Sequence, residues 1–510
     1  MVIVGIVAVL VAGAVITGIV QDQKRKYLSI VCAVISLAGV ATYVPQEPAV
    51  YRIALWMNPV ELSFRVDTLS VTLGLLAALL FTMAFLYSGY IDLHRFHSLL
   101  LLDMAVVLLA LFSEDILLFY AFLEMSTIVT YFLIVHRGAP SSMNAGFKYV
   151  VMNIGGAVLI LLAIVMKELP YASVLFVAGC LVKMGLIPFH VWVADAHPRA
   201  PTPVSAVLSG VMVKLGAYAI IRFAPVFSLD TSVIVPFALL SMVGGVLLAL
   251  VQKDIKRILA YHTVSQVGII ALGIGLGTEP GYTGAMLHMV NHGVFKGLLF
   301  LSVGCVIYAT GERNVQELGG LLHHMPVVGA ACLVGCLSIS GVLPFNGFVS
   351  KTLLFHAVPV TWVKVLFFLT CAGTVASFTK LFRHTFLGDT KKVPQPVPGF
   401  MKIPLVILSV LCLGLGIFQG AERHNVWTGS SIAECLLMLG AGLALYGVAW
   451  KTKILFNAPQ IGLADNLYIQ TGRLIQKIGR TLDNLCTKDI NYYVAFMVVI
   501  VLSFLFWVTV

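Results

Sequence analysis

The chain consists largely of apolar segments of about 20 residues, separated by short polar breaks. A helix rises about 1.5 Å per residue, so one such segment can cross the roughly 30 Å hydrocarbon core of a bilayer. Of the 510 residues, 60% are apolar and 11% are charged, against about 45–50% and 25% in soluble domains. The sequence therefore predicts an all-α polytopic membrane protein and excludes a water-soluble fold.

Sixteen spans are predicted from the polar and Pro/Gly-rich breaks. They are residues 1–20, 27–44, 67–89, 98–112, 115–135, 146–166, 171–193, 203–228, 232–251, 257–275, 281–309, 326–358, 361–385, 400–419, 430–450 and 490–510. With the N-terminus outside, the inner loops and the span ends next to them hold 20 lysines and arginines, and the outer loops and the span ends next to them hold five. Because cationic loops stay in the cytoplasm, we expect a cell (plasma) membrane protein with both termini on the outer side. Residues 1–20 lack a basic n-region, which favours a retained span over a cleaved signal peptide.

An internal repeat relates two of these spans. Residues 179–193 (GCLVKMGLIPFHVWV) and 335–349 (GCLSISGVLPFNGFV) share seven identities at an offset of 156. They fall in spans 7 and 12, an odd number of spans apart, so they cross the bilayer in opposite directions. Such pairs are typical of inverted-topology repeats in transporters. We predict spans 1–3 at 1–97, two inverted five-helix repeats at 98–228 (spans 4–8) and 232–385 (spans 9–13), and spans 14–16 at 400–510.

Pro188 and Pro344 occupy matching positions in the repeated spans. A proline inside a helix removes a backbone donor and clashes with the preceding turn, so both helices are expected to break there. Carbonyl groups freed at membrane depth are tolerated only where protein buries them or where they line a hydrated cavity. The pair therefore favours a transport site over its alternative, two proline kinks without a function.

Seven further cations fall within predicted spans, where a central charge costs about 2.5–3.5 kcal/mol on insertion scales. They are Lys148, Lys183, Lys214, Arg222, Lys296, Lys351 and Lys380. Lys148, Arg222 and Lys380 lie near span ends, where a long side chain can reach the interface. The mid-span lysines cannot do so easily and need a function or a buried partner. Lys351 follows the second break and is expected nearer the outer face.

Glu124 is predicted to be the only acidic residue clearly at the centre of a span. Lys183 is its expected partner, because both belong to the first repeat and lie near mid-depth. His288, His292 and Lys296 follow one another at i, i+4 and i+8 on one face of span 11. Histidine titrates near neutral pH, which favours a relay over two hydrogen-bonded structural histidines. The sequence thus predicts an ordered row of proton-carrying groups: Glu124, Lys183, Lys214, His288, His292, Lys296 and Lys351.

Signals for other chemistry are weak. The sequence has no phosphate-binding loop, no dinucleotide fingerprint and no CxxC pair for an iron–sulfur cluster. Asp195 and His197 share a loop, but two ligands are a weak indication of a metal site. We expect no cofactor, no metal, no active site of its own and no nucleic-acid partner. The net charge of +10 is attributed to the inner loops, and any redox chemistry to partner subunits.

Four stretches resemble the signature sequences of one membrane family. They are LSFRVDTLS before span 3, IPFHVWVADAHPRAPTPVSAVLSGVMVKLGAY, HMVNHGVFKGLLFLSVG and LPFNGFVSK. They look like the antiporter-like subunits of respiratory complex I, Mrp-type sodium/proton antiporters and archaeal membrane-bound hydrogenases with their sulfur-reducing relatives. The similarity covers about residues 60–420. It implies a 14-helix core with broken helices 7 and 12, two half-channels, and proton translocation driven by a redox or ion-exchange partner.

The resemblance also implies a role for individual residues. The predicted row matches the pattern of this family. That pattern consists of a glutamate on helix 5, lysines on helices 7 and 8, histidines and a lysine on helix 11, and a lysine or glutamate on helix 12. The family usually has a proline after the helix-7 tryptophan, where this chain has Ala194. The implied partners are the other membrane subunits of a complex I-like, hydrogenase-type or Mrp-type assembly, with H⁺, alone or together with Na⁺, as the ion.

The C-terminal region departs from that core. After span 15, residues 459–489 separate apolar and charged side chains onto opposite helical faces. This pattern predicts a short amphipathic helix on the cytoplasmic surface, followed by an anchor span at 490–510. The helix is similar to a short version of the lateral helix that distal family members lay across their neighbours. A surface linker helix that touches lipid alone is the alternative.

The sequence leaves two other classes of function open. A self-contained solute carrier is expected to line a mid-membrane pocket with polar, aromatic or small residues. A structural subunit is expected to lack members of the row of titratable groups. The complete row favours an ion-translocating subunit over both. Whether the ion is H⁺ or Na⁺ stays open, as does whether the partner is a hydrogenase, a sulfur or quinone reductase, or an antiporter.

Overall fold

The structure, a computed structural model, describes residues 2–20, 24–43, 48–54, 61–91, 95–422 and 426–452. These residues form helices joined by short links, together with one β-hairpin. The helices are α1 (Val2–Ile19), α2 (Lys24–Ala41), α3 (Thr68–Tyr87), α4 (Phe96–Phe112), α5 (Ile116–Val135), α6 (Pro140–Val165), α7 (Ala172–Met184), α8 (Val191–Arg199), α9 (Thr202–Val207), α10 (Val213–Phe223), α11 (Val235–Val251), α12 (Ile255–Gly275), α13 (Glu279–Thr310), α14 (Pro326–Ser340), α15 (Asn346–Ala357), α16 (Thr361–Phe386), α17 (Gly399–Glu422) and α18 (Gly429–Thr452). The hairpin strands are β1 (Ala49–Ala54) and β2 (Glu61–Val66).

The helices match the spans predicted from the sequence. In the described part of the chain, eleven helices are long and apolar enough to cross a membrane, and three shorter apolar helices accompany them. Predicted spans 1–15 each coincide with a helix or a pair of helices. The chain is therefore a helical membrane protein with multiple spans. The predicted amphipathic helix at 459–489 and anchor span at 490–510 lie outside the described residues.

Both predicted helix breaks are present. Span 7 is divided into α7 and α8, and span 12 is divided into α14 and α15. Pro188 and Pro344 lie in the two links, each after a cis peptide bond. The helical segments, however, end before the prolines, at Gly185 and Gly341.

A left-handed glycine ends the first half of each broken helix. The φ angle is 66° at Gly185 and 76° at Gly341, a conformation that costs glycine little and other residues more. The amide of the residue after each glycine donates a hydrogen bond to a carbonyl of the preceding turn. Leu186 donates to the Leu181 carbonyl at 3.1 Å, and Val342 donates to the Leu337 carbonyl at 3.0 Å. These are the bonds of a Schellman cap. The two breaks thus share one local construction.

Helix α12 lies at the centre of the fold. Its membrane-spanning stretch is completely buried, and the helix packs against α8, α10, α11, α13, α15 and α16. It therefore contacts elements of both predicted repeats. By contrast, at most about a third of the membrane-spanning stretch is buried in each of α1, α6, α17 and α18.

The β-hairpin was not predicted from the sequence. Its strands are antiparallel, with Ala49 opposite Val66. Arg65 on β2 forms an ion pair with Glu114, just before α5. The next polar residue, Asp67, caps α3 and accepts a hydrogen bond of 2.8 Å from Arg222 at the end of α10. The hairpin and these two ion pairs connect the starts of α3 and α5 with the end of α10.

Candidate functional site

The predicted pair of Glu124 and Lys183 is in direct contact. Lys183 Nζ lies 2.6 Å from Glu124 Oε1 and 2.9 Å from Thr127 Oγ1. The lysine side chain is 4% exposed and the glutamate side chain 17%. Lys183 is in the last turn of α7, two residues before the Gly185 cap, where the carbonyl ends of the helix favour a cation. The break therefore positions the cation, and α5 supplies the carboxylate.

Lys214 lies on the helix that packs against α7. A π-helical turn, Leu208–Met212, joins α9 to α10, and the Ser209 carbonyl in that turn accepts a 2.9 Å hydrogen bond from Lys214 Nζ. Such turns interrupt the regular bonding of a helix and are frequent at functional sites. A Cβ atom added to Gly216, which lies on α10, would be 3.2 Å from the Cβ of Lys183 on α7. The two helices therefore approach closely beside the two lysines.

Hydrogen bonds through α12 connect Lys214 with Lys296. Ser209 Oγ lies 2.8 Å from Thr263 Oγ1, and Thr263 Oγ1 donates to the Leu259 carbonyl at 3.1 Å. Lys296 Nζ donates to the same carbonyl. The lysines of α10 and α13 thus share one network. Helix α12, on which the sequence predicted no functional residue, supplies the groups that join them.

The two histidines of α13 differ in their surroundings. Both are completely buried, with ring centroids 6.2 Å apart. The ring nitrogens of His288 lie 2.9 Å from Ser350 Oγ on α15 and 3.2 Å from Gln266 Oε1 on α12. Neither ring nitrogen of His292 has a hydrogen-bond partner among the residues that the structure describes. The structural alternative considered for both residues therefore fits His288 but not His292.

Lys351 lies beside the second break. Its Nζ donates a 2.6 Å hydrogen bond to the Ile339 carbonyl in the last turn of α14. Its stem packs on Gly341, since a Cβ there would lie 3.1 Å from Lys351 Cδ. A cavity of about 20 Å³, lined by Lys351 and by Glu434 of α18, has room for about one water molecule. The lysine is thus held by a carbonyl that the break has freed.

Helices α13 and α17 hold the link of the second broken helix. Asn291 Nδ2 donates to the Asn346 carbonyl and to Gln419 Oε1, both at 2.9 Å. Gly416 of α17 lies directly against the link, where a Cβ atom would overlap the Pro344 carbonyl and lie 2.6 Å from the Asn346 amide nitrogen. The link is therefore packed, rather than free, in this structure.

We expect Gly416→Ala to destabilise the protein by about 1–3 kcal/mol, the usual range for an inserted methyl group in a packed site. The added carbon would push into backbone atoms, which cannot rotate away. Thermal unfolding of the purified protein in mild detergent measures the effect. Gly414→Ala on the same helix is the matched control, because a Cβ there has no neighbour within 4 Å. Equal melting temperatures for the two variants would contradict this packing.

Asp103 corrects the prediction that Glu124 is the only acidic residue at the centre of a span. It lies in the middle of α4 and is 1% exposed. Its carboxyl oxygens accept hydrogen bonds from Ser126 Oγ at 2.9 Å and from Thr130 Oγ1 at 3.1 Å. Two hydroxyl donors from α5 thus satisfy the buried carboxyl group. Predicted span 4 began two residues late, at 98, which placed Asp103 nearer to its end.

Lys380 corrects a second prediction, namely that it reaches the membrane interface. It is 1% exposed, and its ammonium group donates to the carbonyls of Leu250 at 2.5 Å and Gln252 at 2.8 Å. The last carbonyls of a helix have no partner within the helix, and Lys380 satisfies those at the end of α11. Lys148 does reach the surface, where it lies 2.6 Å from Asp195.

Comparisons with known proteins agree with this architecture. The family described as NADH:quinone oxidoreductase/Mrp antiporter, TM, matches residues 113–169 and 166–379. The matched residues make up just over half of the chain and contain every member of the predicted row. Among solved structures, the membrane-bound sulfane sulfur reductase, an archaeal respiratory membrane complex, contains a chain with a TM-score of 0.82 at 22% identity. The superposition covers 98% of this chain and 99% of that one, so the two share a fold.

Two relatives are similar in sequence over most of the chain. Hydrogenase-4 component B of Escherichia coli (strain K12) is 30% identical over 420 residues, which are 69% of this chain and 62% of that protein. Na⁺/H⁺ antiporter subunit A1 of Staphylococcus haemolyticus (strain JCSC1435) is 29% identical over 546 residues, 89% of this chain and 67% of that protein. The chain thus spans about two thirds of the length of each relative. The protein belongs to the NADH:quinone oxidoreductase/Mrp antiporter transmembrane family, and the antiporter-like helical fold predicted for it is confirmed.

Proposed function

We propose that this chain is an ion-translocating subunit of a multi-subunit membrane complex and that it moves protons along the row from Glu124 to Lys351. The observation that carries the proposal is the contact between Glu124 and Lys183 at the first helix break. Well-packed apolar residues stabilise a protein interior at least as well as a buried ion pair does. A pair at membrane depth is therefore a functional hypothesis before it is a structural one.

The pair can act as a switch. An ammonium group beside a carboxylate keeps its proton more firmly than one left alone in an apolar site. A movement of α5 relative to α7 would separate Glu124 from Lys183 and release the proton of the lysine. The same proton would return when the two groups meet again.

The contacts beyond Lys183 support an ordered path. The close approach of α7 and α10 brings the proton to Lys214, and the Ser209–Thr263–Leu259 network leads to Lys296. The histidines of α13 follow, and Ser350 connects His288 with α15, which carries Lys351. In order along this path, the proposed carriers are Glu124, Lys183, Lys214, Lys296, His292, His288 and Lys351.

The names of the relatives support two kinds of partner. One relative is a hydrogenase component and the other is a subunit of a Na⁺/H⁺ antiporter. We propose that this chain also works beside other membrane subunits, which drive it by a redox reaction or by ion exchange. We propose that the translocated ion is H⁺, and that Na⁺ is also transported if the assembly is an antiporter.

Orientation and repeats belong to the same proposal. The charge bias of the loops supports a cell-membrane location with both termini outside. The shared construction of the two breaks supports inverted repeats at 98–228 and 232–385. In this orientation Lys351 lies towards the outer aqueous phase and releases the proton there.

Replacing Glu124 by glutamine tests the proposal. Glutamine keeps the shape of the side chain and removes its charge, so we expect proton translocation to slow by roughly tenfold or more, at about 1.4 kcal/mol per factor of ten. The measurement is the quenching of a pH-sensitive dye in sealed membrane vesicles that contain the assembled complex. Glu168→Gln is the control, because that side chain is 87% exposed. A wild-type rate in Glu124→Gln would remove Glu124 from the mechanism.

A further inference from the structure

His262 of α12 is a buried titratable group outside the predicted row. It is completely buried, and neither ring nitrogen has a hydrogen-bond partner in the described part of the chain. A buried polar group without a hydrogen-bond partner destabilises a protein. Such groups are normally satisfied by ordered water. His97, another buried histidine, instead has Ser88 Oγ at 3.1 Å.

Buried lysines lie on helices that pack against α12, the helix of His262. Lys296 of α13 binds the Leu259 carbonyl, one helical turn before His262. On α16, the ring of Phe378 lies against the imidazole with centroids 4.6 Å apart, and Lys380 follows two residues later. Lys351 of α15, a third helix packed against α12, is buried as well. His262 therefore lies among buried lysines without a direct bond to any of them.

Lys380 leads from this region to the polar end of α11. Its ammonium group contacts the carbonyls of Leu250 and Gln252. Gln252 begins the short link between α11 and α12, which also contains Lys253 and Asp254. The charge bias of the loops assigns this link to the cytoplasmic side.

We propose that His262 is a further proton carrier, which connects Lys380 with Lys296 through bound water. One ring nitrogen takes up a proton from the side of Lys380, and the other nitrogen gives up its proton towards Lys296. The imidazole is then neutral again, as its other tautomer. The row thereby gains a branch through α16 and α12 to the α11–α12 link, separate from the Glu124–Lys183 pair. This inference rests on the proposed function.

Two substitutions separate a carrier from a structural residue. His262→Leu removes both nitrogens, whereas His262→Gln keeps a polar side chain that cannot carry a proton. We expect each variant to lower proton translocation by roughly tenfold in sealed vesicles that contain the assembled complex, with assembly verified by native gel electrophoresis. Lys380→Met is expected to lower the rate as well, because it removes the next group on the branch. His97→Gln is the matched control and should leave the rate unchanged.

The outcomes distinguish this inference from the proposed function. A wild-type rate in assembled His262→Leu or His262→Gln overturns the role of His262, and failure of both variants to assemble does so too, because it assigns the residue to the fold. An unchanged rate in Lys380→Met overturns the branch. Lys183→Ala in the same assay tests the proposed function itself. If Lys183→Ala is inactive while His262→Gln is fully active, only the role of His262 is lost.

Discussion

Replacing Lys183 by alanine is expected to abolish proton translocation while the complex still assembles. Alanine cannot hold a proton, and the row then has no group between Glu124 and Lys214. Assembly should survive because α7 ends on its Gly185 cap, which does not depend on the lysine side chain.

The rate of pH-gradient formation in sealed vesicles, divided by the amount of assembled complex, measures this effect. Lys148→Ala is the matched control, because Lys148 also forms a 2.6 Å ion pair but lies at the surface. The double variant Lys183→Met with Glu124→Gln removes both charges together. It should assemble at least as well as the single variant and remain inactive. If the double variant pumped at the wild-type rate, the pair would have no part in translocation.

Replacing Lys351 by leucine is expected to block proton release, whereas glutamate at this position should keep part of the activity. Leucine cannot titrate, so the row would end at His288. Glutamate can carry a proton, and the family resemblance includes either a lysine or a glutamate on helix 12. Its activity should be partial because the Ile339 carbonyl, which accepts a hydrogen bond from the lysine, can bond only the protonated form of a carboxyl group.

The same assay measures both Lys351 variants against the wild type. Equal rates for Lys351→Leu and Lys351→Glu would mean that a titratable group is not needed at this position. The accessibility of an introduced cysteine to a thiol reagent tests the side of the membrane on which the proton is released. The nine native cysteines are replaced first. Lys351→Cys should react with a membrane-impermeant thiol reagent added from outside more readily than Lys183→Cys. Labelling from the cytoplasmic side alone would reverse the proposed orientation.

Most of the helical architecture could be predicted from the sequence, because its signals are local. A bilayer requires about 20 apolar residues per helix, so each span is visible in its own stretch of chain. The β-hairpin was missed, although ELSFRV in β2 alternates polar and apolar residues as a half-buried strand does. Its pairing with β1 depends on residues of another segment, which composition alone does not indicate.

The candidate site also has a part that could be predicted from the sequence and a part that could not. The lysines, the histidines and Glu124 were identifiable from the sequence, because a charge inside an apolar span is costly wherever the span lies. The breaks were identifiable from Pro188 and Pro344, although the glycine caps, and not the prolines, end the helices. The pairing of Glu124 with Lys183 was inferred from similar depth, and the structure brings these two side chains together.

Only the tertiary structure decided which groups connect these charges. The network from Lys214 to Lys296 runs through a backbone carbonyl and a threonine of α12, and such groups carry no distinctive signal in a sequence. Lys380 looked like an interfacial lysine, because its position near the end of a span does not reveal that the end of α11 covers it. The sequence thus identified most of the titratable residues within the spans, although it missed the central place of Asp103, since insertion energy depends on local composition. The packing of distant helices determined their partners, since hydrogen bonds depend on proximity in space.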